Sequence, residues 1–411
     1  MKRLLRLFWE VFRIALFVVG GGYAIIVVAD EVFGRRLKWL REGELLEHLP
    51  VFQMVPGLIA GNSAIYVGLK TAGRLGAAVA LLAVALPSYL IFLGVSCGYS
   101  LLPVGNPWVE GALLGLRSAI TGVVFATLLR GWRKSVVGVY GYATVVLATA
   151  LLVAVNVNVA LVLLAAMVAG IVWKICGGAT PDRDDAGAGL DLPPLSRGRQ
   201  VLLWCGGLLA LAAVSYFFGP VFWSFVKFGL LGFGGGYVLV PMYMQQFVGA
   251  SAPQLQLPME EFANLMALTQ ATPGPVSVNA ATFFGYRMAG AAGAAVATAA
   301  LLLPSLFLLT AALTGLARWK RSRFVQGLLW GVKPATNALI LKAGIAFAGM
   351  SVWSWAPGQT FDFRPCSLLL ALFAGAMLLK KKLSVMATIF LCAAAGALVW
   401  GFAGTAGPSA P

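Results

Sequence analysis

Residues 53–58 read Gln53-Met54-Val55-Pro56-Gly57-Leu58, and residues 270–275 read Gln270-Ala271-Thr272-Pro273-Gly274-Pro275. The residues after each hexapeptide match as well. Asn62, Tyr66, Gly68, Ala72-Gly73, Gly76-Ala77 and Leu86-Pro87-Ser88 are answered by Asn279, Phe283, Gly285, Ala289-Gly290, Gly293-Ala294 and Leu303-Pro304-Ser305. The offset of 217 positions, Gln53 to Gln270, holds through the whole stretch. Upstream, Gly20-Gly21-Gly22-Tyr23 corresponds to Gly234-Gly235-Gly236-Tyr237. Downstream, Gly115, Arg117 and Ala119 correspond to Gly331, Lys333 and Ala335. The chain carries one apolar unit, interrupted by glycine and proline, twice. Such duplicated units, with short broken helices in corresponding positions, are how many membrane transporters place a binding site.

The composition sets the surroundings. Of 411 residues 60% are hydrophobic and 11% charged, against about 25% charged in soluble domains. The mean hydropathy is +0.89, and apolar runs long enough to span a bilayer recur along the chain. The sequence specifies an all-α polytopic membrane protein whose solvent partner is lipid. No cleavable signal peptide is evident, because Glu10 and Arg13 interrupt the apolar run after Lys2, Arg3 and Arg6. Those two also stand three apart on one helix, a spacing for an ion pair. The net charge of +16 reads as loop charge that orients the chain in the membrane, not as a nucleic-acid surface. Five scattered cysteines and one histidine form no metal or disulfide pattern, and neither cofactor, metal nor catalytic residues are expected.

The basic clusters Lys2/Arg3/Arg6, Arg130/Arg133/Lys134, Arg318–Arg323 and Lys380–Lys382 belong on the cytoplasmic side by the positive-inside rule. Arg35–Arg41 and Lys70–Arg74 join them only if residues 8–29 and 51–69 enter and leave on the same face. Gly20-Gly21-Gly22 and Pro56-Gly57 provide the breaks such hairpins need. Full crossings are then expected near 75–101, 109–129, 136–154, 157–175, 201–219, 291–317, 325–348, 366–380 and 384–402. Five of them separate the two hairpin copies, so the copies are inverted. The expected organisation is a first transmembrane repeat (1–176), a cytoplasmic linker (177–200), a linking transmembrane helix (201–219), a second, inverted repeat (220–403) and a tail (404–411). The N-terminus is cytoplasmic and the location the inner (plasma) membrane.

The Pro-Gly motifs carry chemistry. Proline suits the first turn of a helix, so each motif presents the N-terminus of a half-helix within the membrane. Unpaired N–H groups and the positive end of the helix dipole there favour an anion. Gln53, Asn62, Gln270 and Asn279 lie within two turns of the breaks and supply amide donors; bonds to neighbouring backbone are the alternative for them. Arg117 and Lys333 occupy equivalent positions inside apolar runs, where a charge is costly and usually functional. A cation in each repeat beside two helix N-termini describes a site for a dianion. The substrate-binding set is therefore Gln53, Pro56, Gly57, Asn62, Arg117, Gln270, Pro273, Gly274, Asn279 and Lys333. Tyr23, Tyr237, Gly22, Gly236, Lys70 and Arg287 are secondary candidates. Glu44 and Glu261 correspond in the segment leading into each hairpin and read as helix caps. His48, the only histidine, has no counterpart in the second copy; it reads as interfacial packing, with a role in transport as the alternative.

Phe17-Val18-Val19-Gly20, Gln53-Met54-Val55-Pro56-Gly57 and Leu86-Pro87-Ser88 resemble the chromate ion transporter family. So do Phe228 through Tyr237, Gln270 through Pro275, Asn279 through Tyr286, Leu303-Pro304-Ser305 and Gly331-Val332-Lys333-Pro334-Ala335. The resemblance covers nearly the whole chain except the linker and tail, and it points to the long, two-domain form. It implies a secondary transporter that exports chromate across the inner membrane, with sulfate as a chemically similar competitor. Leu58 departs from the Pro-Gly-Pro common in the family, so the halves are expected to contribute unequally. Transport or exchange of sulfate or another small oxyanion, and an anion channel, are the competing readings. An enzyme would need a nucleophile–base or metal constellation that the sequence does not offer. The glycine-rich faces suit internal packing or a homodimer equally.

Overall fold

In the computed structural model, residues 1–18, 22–99, 106–177, 197–233, 236–250, 252–315, 323–354, 362–380 and 382–405 are described. Of 22–24 and 197–212 only the backbone is. The expected breaks at Gly20-Gly21 and Gly234-Gly235, most of the linker and most of the 318–323 basic cluster lie outside the described residues.

The protein is an all-α polytopic membrane protein. A two-residue ladder between β1 (Trp353–Ser354) and β2 (Asp362–Phe363) is the only extended pairing of strands among the described residues. Helix α1 (Lys2–Phe17) buries Leu7, Val11, Ile14 and Ala15, a three-to-four spacing that puts them on one face. Glu10 does not pair with Arg13: its carboxylate accepts from Arg36 Nη2 at 2.5 Å. The chain continues through α2 (Gly22–Asp30), a π-helical turn (Glu31–Arg36), α3 (Glu44–Glu47) and α4 (Leu49–Met54) to α5 (Ile59–Gly98). Next come α6 (Pro107–Ser135), α7 (Gly138–Val153), α8 (Val159–Ile175) and α9 (Arg197–Leu231). The start of α6 is set by its sequence: Asn106 Oδ1 accepts from the Trp108 N–H at 3.0 Å, and Pro107 fills the first helical position. Helix α9 is broken at Phe218 (φ −130°), just before Pro220. After a 3₁₀ turn (Gly236–Leu239) come α10 (Val240–Phe247), α11 (Met259–Ala271), α12 (Val276–Gly315), α13 (Arg323–Ser351), α14 (Pro365–Leu379) and α15 (Val385–Thr405).

Among the described residues, five helices are long and apolar enough to cross a membrane, within α5, α6, α9, α12 and α15; α7, α8 and α14 are apolar but shorter. Each segment expected to cross overlaps one of these helices or α13, but in α9 the apolar span among the fully described residues is Ala213–Leu231, which runs past the expected 201–219 into the segment read as the second hairpin. Yet α5 and α12, forty residues apiece, are not single rods. Ala72 and Gly73 (φ −147° and +66°) break α5, and Ala289 and Gly290 (φ −152° and +62°) break α12. The same two dihedral pairs recur at the same 217-residue offset. The arms fold back on each other. A Cβ on Gly68 would lie 2.2 Å from the Gly76 carbonyl oxygen, and one on Gly285 would lie 2.5 Å from that of Gly293. Only glycine allows backbones so close. The first arm of α5, residues 59–71, is about 20 Å long, short of the roughly 30 Å hydrocarbon core.

The chain forms two compact units. One holds residues 1–96, 174–235 and 277–326; the other holds 97–173, 236–276 and 327–411. Each takes elements from both sequence copies. In the second unit α6 packs against α14 and α15. Gly115 faces the Cys392 carbonyl of α15, and its equivalent Gly331 faces the Ala166 carbonyl of α8, where added Cβ atoms would approach to 2.1 and 2.0 Å. The contacts are reciprocal, because α8 and α15 close the first and second copies respectively. Leu161, Leu164 and Val168 on α8, and Leu369 and Leu372 on α14, remain exposed.

Candidate anion site

Helix α4 ends at Met54 with Val55 extended (ψ 132°), Gly57 takes φ +116°, and α5 begins at Ile59. In the second copy α11 ends at Ala271 with Thr272 extended (ψ 149°), Gly274 takes φ +100°, and α12 begins at Val276. The breaks are built alike. Positive φ explains the glycine at each, and proline's fixed φ ends the incoming helix. The first-turn N–H groups of α5 have no carbonyl one turn earlier to bond. They are also dry: Ile59, Ala60 and Gly61 are buried, while Pro56 and Gly57 are half-buried.

Three sequence motifs converge on Gly57 inside the first unit. Its N–H donates to the Gly232 carbonyl at 2.9 Å. A Cβ there would fall 1.7 Å from Ser305 Oγ. Gly232 opens the second glycine-rich run, and Ser305 closes the second Leu-Pro-Ser motif, so the break of the first copy is seated on elements of the second.

Asn62 is fully buried, and its Nδ2 donates to the carbonyls of Phe52 (2.9 Å) and Val55 (3.2 Å). Both amide hydrogens thus tie the frayed end of α4 to the first turn of α5. Gln270 is buried in the second unit, and its Oε1 accepts from the Tyr237 hydroxyl at 3.0 Å. That bond joins two residues the sequence nominated separately. The equivalent Gln53 is half-buried; the side chains of Gly22 and Tyr23 lie outside the described residues. Asn279 is fully buried in α12. Pro273 and Gly274 are half-buried, and Gly236 begins the 3₁₀ turn that carries Tyr237.

The cations differ in setting. Arg117 on α6 is 8% exposed and bonds Glu260 and Asn264 of α11. Lys333 on α13 is half-buried and precedes Pro334. Lys70, near the end of the first arm of α5, donates to the buried Glu44 carboxylate, whereas Arg287, its equivalent in α12, is exposed. The Arg117–Glu260 pair spans 143 positions, and no local pattern announces it. The Glu44 contact was within reach of the sequence, since Lys70 and Glu44 recur as Arg287 and Glu261.

The chromate transporter family model matches the chain in two stretches, residues 5–171 and 219–397. A chromate transport protein of Cupriavidus metallidurans is 28% identical over 380 residues, covering 90% of this chain and 87% of that protein. A probable chromate transport protein of Synechococcus elongatus is 25% identical over 384 residues, 93% of this chain and 92% of the relative. An uncharacterised transporter of Bacillus subtilis is 28% identical over 166 residues, which make up 37% of this chain but 92% of that protein. No solved structure matches. With the model matched over most of its length, the chain belongs to the chromate transporter family.

Proposed function

We propose that the protein is a secondary active transporter that exports chromate from the cytoplasm by alternating access. The observation that carries this reading is the pair of matched breaks, Pro56-Gly57 and Pro273-Gly274. Each has a left-handed glycine, and each opens a half-helix that reverses at an Ala-Gly turn. A tetrahedral dianion needs hydrogen-bond donors shielded from water, and buried helix N-termini supply such donors. Family membership and the names of the full-length relatives support chromate as the anion.

In this reading the two sequence copies act as inverted repeats, and Pro56, Gly57, Pro273 and Gly274 shape the half-helix ends. Gln270 and Gln53 orient the oxygens, with Tyr237 holding Gln270. Asn62 fixes the first break. Arg117 and Lys333 provide compensating charge, Arg117 by exchanging the exposed Glu260 carboxylate for the substrate.

Chromate uptake into everted membrane vesicles tests the proposal. Saturable uptake, suppressed by excess sulfate and abolished when the membrane gradients collapse, is the expected result. Uptake that never saturates identifies a channel. Sulfate uptake without chromate uptake identifies a sulfate carrier.

A further inference from the structure

Glu44, His48, Tyr66 and Lys70 form one cluster in the first compact unit, at the segment leading into the first break. Glu44 and Tyr66 are 1% exposed and His48 is 5% exposed. Glu44 Oε1 accepts from the Tyr66 hydroxyl at 2.6 Å and from Lys70 Nζ; Oε2 accepts from the Arg41 backbone N–H at 3.0 Å. His48 Nδ1 lies 2.9 Å from the Glu44 carbonyl oxygen, and Nε2 lies 3.3 Å from Tyr66 Oη.

The hydrogens can be assigned one by one. A carbonyl oxygen only accepts, so Nδ1 carries a hydrogen. Tyr66 has a single hydroxyl hydrogen, and the short contact commits it to Glu44. Nε2 therefore faces an oxygen whose hydrogen points elsewhere. A neutral imidazole leaves two lone pairs opposed there, whereas an imidazolium donates Nε2–H to Oη. The chain from Nε2 through the Tyr66 hydroxyl to the Glu44 carboxylate is complete only when His48 is protonated.

The surrounding charges permit that state. Burial pushes the Glu44 carboxyl up, but the hydrogen bonds from Lys70, Tyr66 and Arg41 outweigh it and leave the group below its ordinary value, so the chain ends on an anion. Lys70 offsets that anion. Arg41 pairs with Glu47 at 3.0 Å, and the Asp30 carboxylate on α2 accepts from the N–H groups of Gly43 and Leu45. The position is mechanical as well. The carbonyl of His48 accepts from the N–H groups of Val51 and Phe52 and so starts α4, the helix that ends at Pro56-Gly57.

We propose that His48, joined through Tyr66 to Glu44, is a proton-binding site whose occupancy sets the conformation of the first Pro-Gly break and is thereby linked to anion movement. The linkage to anion movement rests on the transport reading above; the proton site itself does not.

His48 is the only histidine in the chain, so full-length protein with isotope-labelled histidine in lipid nanodiscs gives one imidazole signal. The expected signal passes with pH between the neutral and the protonated imidazole. Tyr66→Phe, which removes only the hydroxyl, weakens proton binding about tenfold, one pH unit. Glu44→Gln acts in the same direction, and Lys70→Met, which removes a like charge, acts in the opposite one. A structural role for the cluster predicts no such reversal of sign. The pH profile of chromate uptake in vesicles is expected to move with each midpoint. A signal that does not titrate, or midpoints indifferent to Tyr66→Phe and Lys70→Met, overturns the proton site. Shifted midpoints with an unshifted uptake profile overturn the linkage. Normal titration with no uptake from any vesicle instead overturns the transport reading and leaves the proton site standing.

Discussion

Arg117 Nη2 donates to Glu260 Oε1 at 2.7 Å while its Nε donates to Asn264 Oδ1 at 2.6 Å. Glu260 and Asn264 lie four residues apart, on one face of α11, so a buried guanidinium clamps that helix to α6. The partners are unequal: the Glu260 side chain is 73% exposed and that of Arg117 is 9% exposed. Removing the exposed partner leaves a buried cation, whereas removing the buried one lets a carboxylate return to water. Glu260→Ala is therefore expected to lower thermal stability more than Arg117→Met, the reverse of what burial alone suggests. The cost of an orphaned buried charge is about 3–5 kcal/mol; Asn264 retains one bond to it and reduces that figure.

Glu260 and chromate compete for the same guanidinium in the transport reading. Glu260→Gln keeps an acceptor but removes the charge, and is expected to lower the KM for chromate severalfold. Arg117→Ala is expected to raise it. Uptake kinetics with both KM values unchanged would reduce Arg117 to a brace for α11.

Gly57 combines a positive φ with a side-chain position that is already occupied. Gly57→Ala incurs about 1–2 kcal/mol for the left-handed backbone, and its Cβ overlaps Ser305 Oγ at 1.7 Å and Cβ at 2.8 Å. The two contributions separate in a double-mutant cycle, because neighbouring sites are not additive. In a Ser305→Gly background the steric part disappears and the backbone part remains. Chemical denaturation should therefore show Gly57→Ala to be milder, but not neutral, in that background. Equal losses in both backgrounds would mean that Ser305 does not fill the space beside Gly57.

The sequence showed that something happens at 56–57 and 273–274, because an offset held over so many positions keeps only what both copies need. The hairpin expected at 51–69 and the crossing at 75–101 implied a turn between them, but not that Ala72-Gly73 and Ala289-Gly290 make it with the same pair of dihedrals. Gly68 and Gly76 stand eight apart, which on a straight helix looks like a packing face; only the left-handed Gly73 turns that spacing into a contact between two arms. Tyr237 and Gln270 were legible singly, and their bond was not. Charge placement failed where partners are distant, as with Arg36, which takes Glu10 from Arg13. His48 lacks a counterpart in the second copy, which hides it from any reading built on the duplication. A second histidine need not exist if only one break answers to a proton.

The reversals themselves are testable through matched substitutions. Gly68→Ala places a Cβ 2.2 Å from the Gly76 oxygen. Gly285→Ala places one 2.5 Å from the Gly293 oxygen and from the Ala297 Cβ. Neither obstacle is a flexible side-chain end, so each substitution pries its hairpin open, and both are expected to reduce folded protein in membranes sharply. Gly94 has nothing within 4 Å of its added Cβ, and Gly94→Ala should be neutral or stabilising by up to about 1 kcal/mol. Similar losses at 68 and 285 beside a neutral 94 would show that both hairpins are closed by the same contact.

Glu44 makes stability depend on pH in a known direction. Its carboxyl sits below the ordinary value of 4.5 in the folded chain, where burial raises it and the bonds from Lys70, Tyr66 and Arg41 lower it further. A depressed carboxyl contributes stability that is fully present above the unfolded value and is lost as pH falls through the folded one. The contribution of Glu44 to melting temperature in detergent is thus expected to stay constant above about pH 5 and to fall below it. Glu44→Gln lowers the plateau, because Lys70 and Tyr66 lose their anion, and flattens the acid limb. Lys70→Met removes one of the bonds that depress the carboxyl, brings the folded value closer to the unfolded one, and so shrinks the acid loss and ends it at a higher pH. An acid limb identical in wild type and Glu44→Gln would assign the loss to carboxylates other than Glu44.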